Sequence, residues 1–166
     1  MNISGTWEGQ YTYGEAYDDY AGTSVRFAMT LQLGGVAQLI GRPRLTGTIR
    51  DSIDDGGQPG LAQLVGRRIG TGMRFVKTMP HSGMDDYTMA ELRCEFRAQF
   101  HKQPPEPMPK HRIAYNGTIS HHGEQLSGSW LILPMLFETD DGPVRFGGIG
   151  EGTWTARRSS HLANEI

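Results

Sequence analysis

The chain has 166 residues, 37% of them hydrophobic, which is enough for one hydrophobic core and predicts a single domain. The formal net charge is -2 and the basic residues are scattered in pairs, so nucleic acid is not the expected partner. A single cysteine excludes an intramolecular disulfide, and the amino terminus lacks the basic start and apolar stretch of a signal peptide, so we expect a cytoplasmic protein.

Alternation of apolar and polar residues with a period of two runs through the chain and predicts β-strands. In chain order, the predicted strands are 5–13, 24–33, 44–51, 62–70, 72–79, 111–120, 125–133 and 144–157. Clusters of Gly, Asp and Ser between most of them predict short turns, and strands joined by short turns are antiparallel neighbours.

The segment 80–110 is too long for a hairpin turn and contains a run, 86–101, that fits either a strand or a helix. Four of its apolar residues share one helical stripe: Met89, Leu92, Phe96 and Phe100. The residue types and a Thr88-x-x-Glu91 capping box favour a helix, which ends before the proline-rich residues 104–109. On this interpretation Cys94 is a small core residue.

Eight strands with short turns predict an all-β protein, a single closed up-and-down antiparallel β-barrel with one short inserted helix. Residues 1–157 form the barrel, the segment 80–110 is an insertion, and 158–166 are a polar tail. Five segments repeat Gly, then Ser or Thr, then Trp or Ile, beginning at Gly5, Gly47, Gly117, Gly128 and Gly152. Glycine inside strands indicates the bends that coil a sheet, covered by neighbouring large side chains. A two-layer β-sandwich would share the alternation but leave free sheet edges.

Two short motifs carry a resemblance to a known family. Gly5-Thr6-Trp7-Glu8-Gly9 resembles the Gly-x-Trp of a first calycin strand, and Leu45-Thr46-Gly47-Thr48 resembles avidin sequences. The calycins comprise lipocalins, fatty-acid-binding proteins and avidin-like proteins, so the resemblance implies a barrel that binds a small molecule. The chain lacks the late paired tryptophan motifs of avidins, so biotin binding is not expected. His161-Leu162 is similar to the end of nitrobindin-like haem barrels, but a histidine in a polar tail is more often only solvated, and no cofactor is expected.

Alternation turns a set of large side chains toward the barrel interior, where they either fill the lumen or line a cavity for one small ligand. Both alternatives stay open at this point. The residues predicted to contact a ligand are Trp7, Tyr11, Phe27, Met29, Arg68, Phe75, Lys77, Tyr115, Trp130 and Trp154.

Two cations, Arg68 and Lys77, fall on the inward face by strand phase. An interior cation needs a counter-ion or an anionic ligand to offset its desolvation. A bulge or a place at the rim would instead leave these side chains in water. If they point inward, we expect them to bind a ligand carboxylate, with Glu8 and Asp51 as candidate counter-ions.

No motif for metal binding or catalysis stands out. The six histidines are not spaced with cysteines or carboxylates as in zinc sites, and there is neither a glycine-rich phosphate loop nor a Gly-x-Ser-x-Gly elbow. We therefore expect no metal and no enzymatic activity. An isomerase or cyclase that uses an interior Lys, Tyr or Glu stays an alternative, which a shifted pKa at Lys77 or Tyr115 would favour.

The outer face of the barrel also carries apolar residues. Residues 130–133 are apolar on both faces, and Val65 and Ile69 are predicted to lie outward, so part of the exterior must be covered. We expect the inserted helix to cover part of it, with a homodimer as a further partner. The longest apolar run, 130–137, is too short to span a bilayer, so no membrane is expected.

These observations predict a non-enzymatic barrel that binds a small apolar or aromatic molecule, with a carboxylate as the candidate headgroup. A packed barrel whose exterior binds other proteins is the further alternative.

Overall fold

The computed structural model describes residues 2–34, 43–81, 86–104, 106–139, 142–148 and 150–159. This part of the chain forms the strands β1 (Gly5–Tyr13), β2 (Ser24–Gly34), β3 (Arg44–Asp51), β4 (Ala62–Ile69), β5 (Gly72–Thr78), β6 (Arg112–Ile119), β7 (Gln125–Ile132), β8 (Met135–Thr139), β9 (Gly142–Phe146) and β10 (Glu151–Arg158). The helix α1 spans Asp86–Phe100, and two short 3-10 segments span Glu15–Tyr20 and Ile53–Asp55.

Eight of the strands form a closed antiparallel barrel in the order β1-β10-β7-β6-β5-β4-β3-β2. The barrel closes where β1 pairs with β10, with Tyr11 opposite Trp154. Because closure leaves none of these eight strands with a free edge, the β-sandwich alternative is excluded and the predicted barrel is confirmed.

The last barrel strand was predicted too long. The prediction joined residues 144–157 into one strand, but Val144 lies in β9, which pairs with β8 in a separate hairpin, and the barrel strand begins at Glu151. Between the two, Gly147 and Gly148 have φ angles of 73° and 89°, a left-handed backbone that interrupts an extended strand. Alternation persists across this interruption, which is why the pattern alone did not show it.

The predicted helix is confirmed, and it packs on the β8–β9 hairpin. The Phe96 ring centroid lies 4.9 Å from that of Phe137 and 5.5 Å from that of Phe146. Leu92 and Phe96 are buried together with Met135 and Phe137 in a hydrophobic cluster separate from the barrel core. The helix and the hairpin therefore bury their apolar faces against each other.

Two expectations about this helix are corrected. Cys94 is exposed, because it lies off the buried stripe of the helix. The helix does not cover the barrel exterior where apolar residues were predicted to lie outward: Val65 is 49% exposed, Ile69 is 60% exposed and Leu131 is 39% exposed.

The side chain of Thr88 in the predicted capping box lies outside the described residues. Within the described residues, no helix is long and apolar enough to cross a membrane.

The barrel core consists of inward side chains packed against glycine backbone. A Cβ added at Gly117 would lie 2.5 Å from Cζ2 of Trp154, and one added at Gly152 would lie 2.7 Å from Nε1 of Trp130. The indole rings thus occupy the space that a side chain at either position would need. This arrangement is the covering of bare backbone by large neighbours that the repeated glycine motif predicted.

Candidate functional site

Four long connections gather at one end of the barrel, which we call the loop-bearing end. Because successive barrel strands are antiparallel, alternate connections lie at opposite ends. The connections at the loop-bearing end are 14–23, 52–61, 79–111 and 133–150, and they contain both 3-10 segments, α1 and the β8–β9 hairpin. At the opposite end, short turns join β4 to β5 and β6 to β7. Binding residues in proteins concentrate where loops gather on a rigid scaffold, so a site is expected at the loop-bearing end.

An ion pair between Lys77 and Asp51 lies inside the barrel at this end. Asp51 is the last residue of β3, Lys77 is the second to last of β5, and both side chains point inward. Lys77 Nζ lies 2.7 Å from Oδ1 and 2.5 Å from Oδ2 of Asp51, and each side chain is 1% exposed. The inward cation therefore has a counter-ion inside the protein.

Stability alone does not account for this pair. Burial lowers the pKa of Lys77, and the charge and hydrogen bonds of Asp51 oppose that shift. Taking two ions out of water costs several kcal/mol for each, and apolar residues of similar volume often give an equally stable core. A buried charged pair at the end of the barrel is therefore a candidate for function.

Tyr11 lies beside the pair and connects it to a group of aromatic side chains. Lys77 Nζ lies 5.6 Å from the ring centroid of Tyr11, whose ring makes edge-to-face contacts with Tyr13 at 5.6 Å and with Trp130 at 5.8 Å. Tyr17, from the connection between β1 and β2, adds its ring 4.7 Å from that of Tyr13. The loop-bearing end thus combines one charged pair with an aromatic wall.

Three phenols at this end, those of Tyr11, Tyr17 and Tyr115, stay protonated at neutral pH. Burial, followed by the negative charge of Asp51, raises the pKa of Tyr11 and of Tyr115 far above its usual range. Burial also raises the pKa of Tyr17 to about 12. Each of these hydroxyls can therefore donate a hydrogen bond, and none supplies a phenolate.

The connection 52–61 covers the carboxylate and is held by polar contacts at its surface: Asp55 pairs with Arg26, and the carbonyl of Pro59 lies 2.8 Å from Nε2 of His81. A Cβ added at Gly57 would lie 2.6 Å from Cβ of Asp51 and 2.9 Å from Cγ1 of Val25, so the Gly57 backbone packs directly on Asp51. None of the residues 52–61 is buried, and Ile53 is 67% exposed. A segment with so little buried apolar surface opens at a lower free energy than the barrel unfolds.

His111, the residue before β6, is a further titratable group at this end that the sequence did not single out. It is half-buried, and its pKa is lowered by burial and then by the positive charges of Lys77 and His81. The folded protein therefore favours neutral His111.

This shift predicts a loss of stability in mild acid. Because the pKa of His111 is lower in the folded state, the unfolded chain takes up the proton first as the pH falls below ~6.5, and stability is lost there at up to about 1.4 kcal/mol per pH unit. We expect His111→Gln to weaken this dependence between about pH 8 and pH 5 in urea unfolding. Equal pH dependence in the two proteins would show that His111 is not the group responsible.

Side chains fill the lumen in the described structure. The indole N–H groups donate to backbone carbonyls: Trp7 to Ile3 at 3.0 Å, Trp130 to Thr153 at 3.1 Å and Trp154 to Asn116 at 3.1 Å. Three concavities of about 1030, 530 and 440 Å³ all open on the outside of the barrel. Of the two alternatives, the packed core fits the described residues, because their buried inward side chains form one hydrophobic cluster.

Eight of the ten predicted ligand contacts, all except Arg68 and Lys77, belong to one hydrophobic core cluster. Apart from Arg68, all are buried in the barrel interior. Arg68 is half-buried at the end opposite to Lys77, where its Nε donates to the carbonyl of Gly70 at 2.8 Å. Glu8 is exposed on the outer face and accepts a hydrogen bond from Ser159, so it is not a counter-ion of either cation. Only Lys77 remains as a candidate headgroup contact in the interior.

The described residues contain no group of three or more His, Cys, Asp or Glu that could hold a metal ion. His161, the residue compared with a haem ligand, lies outside the described residues.

The chain matches no protein-family model and no curated protein. Among solved structures, it is similar to the crystal structure of a rhizavidin–biotin complex, with 15% identity and a TM-score of 0.44, over 94% of this chain and 99% of that chain. At this level the likeness says nothing about a ligand of this chain. The eight-stranded barrel, the architecture that the calycin resemblance implied, rests on the strand pairing itself.

Proposed function

We propose that this protein binds a small apolar or aromatic molecule with a carboxylate, and that Lys77 holds the carboxylate at the loop-bearing end. The observation that carries this proposal is the Lys77–Asp51 pair. The pair is fully buried, whereas none of the residues in the connection 52–61 above it is buried. Lysine in an apolar surrounding binds a carboxylate strongly because water does not compete there.

Binding requires the ligand carboxylate to take the place of Asp51. Two carboxylates against one ammonium would leave an unpaired buried charge, so both do not stay in the site together. Asp51 is followed directly by the exposed connection 52–61, and outward movement of this connection would carry the Asp51 side chain toward water. Tyr13, Tyr17 and Trp130 would then supply the apolar contacts.

A comparison of indole-3-acetate with indole-3-acetamide, and of decanoate with decanol, tests the proposal by calorimetry. Each pair differs in the carboxylate, so we expect the acid to bind at least about tenfold more tightly, or ~1.4 kcal/mol. Lys77→Met/Asp51→Leu, which removes both charges, should abolish this preference. Arg68→Gln should preserve it, because Arg68 lies at the opposite end. Equal binding of acid and uncharged analogue by the wild-type protein would contradict the proposal.

The lowered pKa of Lys77 favours a second candidate, an enzyme in which this lysine accepts a proton from the bound molecule. The two candidates differ in what is recovered after incubation. A binding protein returns the compound unchanged, whereas an isomerase or cyclase returns a product of the same mass with a different retention time.

A further inference from the structure

The outer wall of strands β2 to β7 carries positive charge and no negative charge. Its outward positions contain no Asp or Glu, although the whole chain has a formal net charge of -2. Its exposed arginines are Arg26, Arg44, Arg50, Arg67, Arg74 and Arg112. These arginines lie on the outer face of five of the eight barrel strands, β2 to β6, where no carboxylate residue stands beside them on those strands.

Three of these arginines lie side by side. Arg67 on β4 is directly opposite Arg44 on β3 and Arg74 on β5. Like charges opposite each other destabilise a sheet. Arg26 is paired with Asp55, but no carboxylate of the described residues forms a salt bridge with Arg67 or Arg74. The row of arginines is therefore not explained by ion pairs within the described structure.

An apolar groove of about 1030 Å³ runs along this row. Val65, Ile69, Val76 and Ala114 line it, and Arg67 and Arg74 lie beside them. Val65 and Ile69 are 49% and 60% exposed, a high fraction for apolar side chains, and they lie on the outer face of β4 on either side of Arg67. The groove therefore offers both apolar surface and positive charge to a partner.

The charge of this wall restricts what can bind. A symmetric dimer through the same face would bring the arginines of each copy against one another, so this face does not suit a second copy of the chain. Addition of a strand to the sheet is excluded because the barrel has no free edge. The two aromatic residues of the lining, Phe75 and Tyr115, are 3% and 2% exposed and offer no ring for bases to stack on, which disfavours single-stranded nucleic acid.

We propose that this groove, lined by Val65, Ile69, Val76 and Ala114 and bordered by Arg67 and Arg74, docks an acidic polypeptide segment that also carries apolar side chains. The carboxylates of the partner would pair with the two arginines, and its apolar side chains would cover Val65 and Ile69. The proposal is independent of ligand binding at Lys77, which lies inside the barrel.

Fluorescence anisotropy with labelled peptides of alternating sequence tests this proposal. We expect the wild-type protein to bind a Glu-Leu repeat at micromolar concentration, and a Glu-Ser or Lys-Leu repeat at least about tenfold more weakly, because only the first peptide matches both charge and apolar surface. Added salt should weaken binding of the Glu-Leu repeat.

Two groove variants separate the contributions of charge and apolar surface. Arg67→Ser/Arg74→Ser and Val65→Ser/Ile69→Ser alter exposed residues, and each should weaken binding of the Glu-Leu peptide about tenfold. The control variant Arg145→Ser/Arg157→Ser removes two positive charges outside the groove. It should change the affinity for the Glu-Leu peptide by less than about twofold. Circular dichroism confirms that each variant is folded.

The proposal is overturned if the Glu-Leu and Lys-Leu repeats bind equally or not at all, or if the control variant loses as much affinity as the groove variants. Tighter binding of a single-stranded DNA oligonucleotide or of phosphatidylserine vesicles would also overturn it, and would assign the wall to nucleic acid or to an anionic membrane surface.

Discussion

Lys77→Met should lower the free energy of unfolding by about 3–5 kcal/mol, because it leaves the carboxylate of Asp51 buried without its partner. Asp51→Leu should cost a similar amount by leaving the ammonium group unpaired. The double variant Lys77→Met/Asp51→Leu removes both charges and should recover most of the loss, since an apolar pair of similar volume is often as stable as a buried ion pair. Urea unfolding of the four proteins measures the complete double-mutant cycle.

The exposed pair of Arg26 and Asp55, joined by a 2.6 Å contact, provides a matched control. The Arg26 side chain is 70% exposed, so Arg26→Met should change stability little. If Lys77→Met lowered the free energy of unfolding as little as Arg26→Met, water would have access to the Lys77–Asp51 pair. That result would contradict the burial of the pair.

Trp154→Ala should also lower the free energy of unfolding by about 3–5 kcal/mol, the usual cost of removing a large side chain from a close-packed core. Trp154 is 1% exposed, and its ring centroid lies 5.6 Å from that of Phe75 and 5.7 Å from that of Tyr115. Because these neighbours are held by their own strands, the site should collapse only in part and leave a cavity. Thermal and urea unfolding measure the loss.

Addition of indole should raise the melting temperature of Trp154→Ala and leave the wild-type value unchanged, since an apolar cavity in a core accepts a matching apolar molecule. Tyr20→Ala, at an aromatic residue that is 64% exposed, should have little effect on stability. Two results together would show that the lumen is open in solution: a small loss of unfolding free energy in Trp154→Ala, and stabilisation of the wild-type protein by indole.

The sequence predicted the barrel well because its signals are local. Period-two alternation places one residue after another on opposite faces, and it identified Val25, Phe27 and Met29 as inward from their spacing alone. The same rule failed at residues 144–157, because Gly147 and Gly148 interrupt the strand through backbone angles that alternation does not report.

The candidate site was only partly predictable, because it depends on contacts between distant residues. Strand phase turned both Lys77 and Arg68 inward, but it did not show that Lys77 is 1% exposed whereas Arg68 is only half-buried. The partner of Lys77 is 26 residues away along the chain. The packing of the inward rings decides whether the lumen is open or filled. One example is the stack of Phe75 on Tyr115, whose ring centroids lie 4.9 Å apart. Composition does not determine such packing.

The arginine row was missed for the same reason. Arg44, Arg67 and Arg74 belong to three strands, and their pairs along the sequence gave no sign of a common surface. Their alignment follows from the registers of β3 with β4 and of β4 with β5.

Native and denaturing mass spectrometry of the protein, purified gently from its own host, tests ligand binding at Lys77 most directly. We expect the native wild-type protein to carry a small organic acid that is lost on denaturation, and the Lys77→Met/Asp51→Leu variant from the same host to lack it. A bare mass for the wild-type protein, with no uptake of any compound from a metabolite extract, would contradict the account and leave a packed barrel that acts through its outer wall.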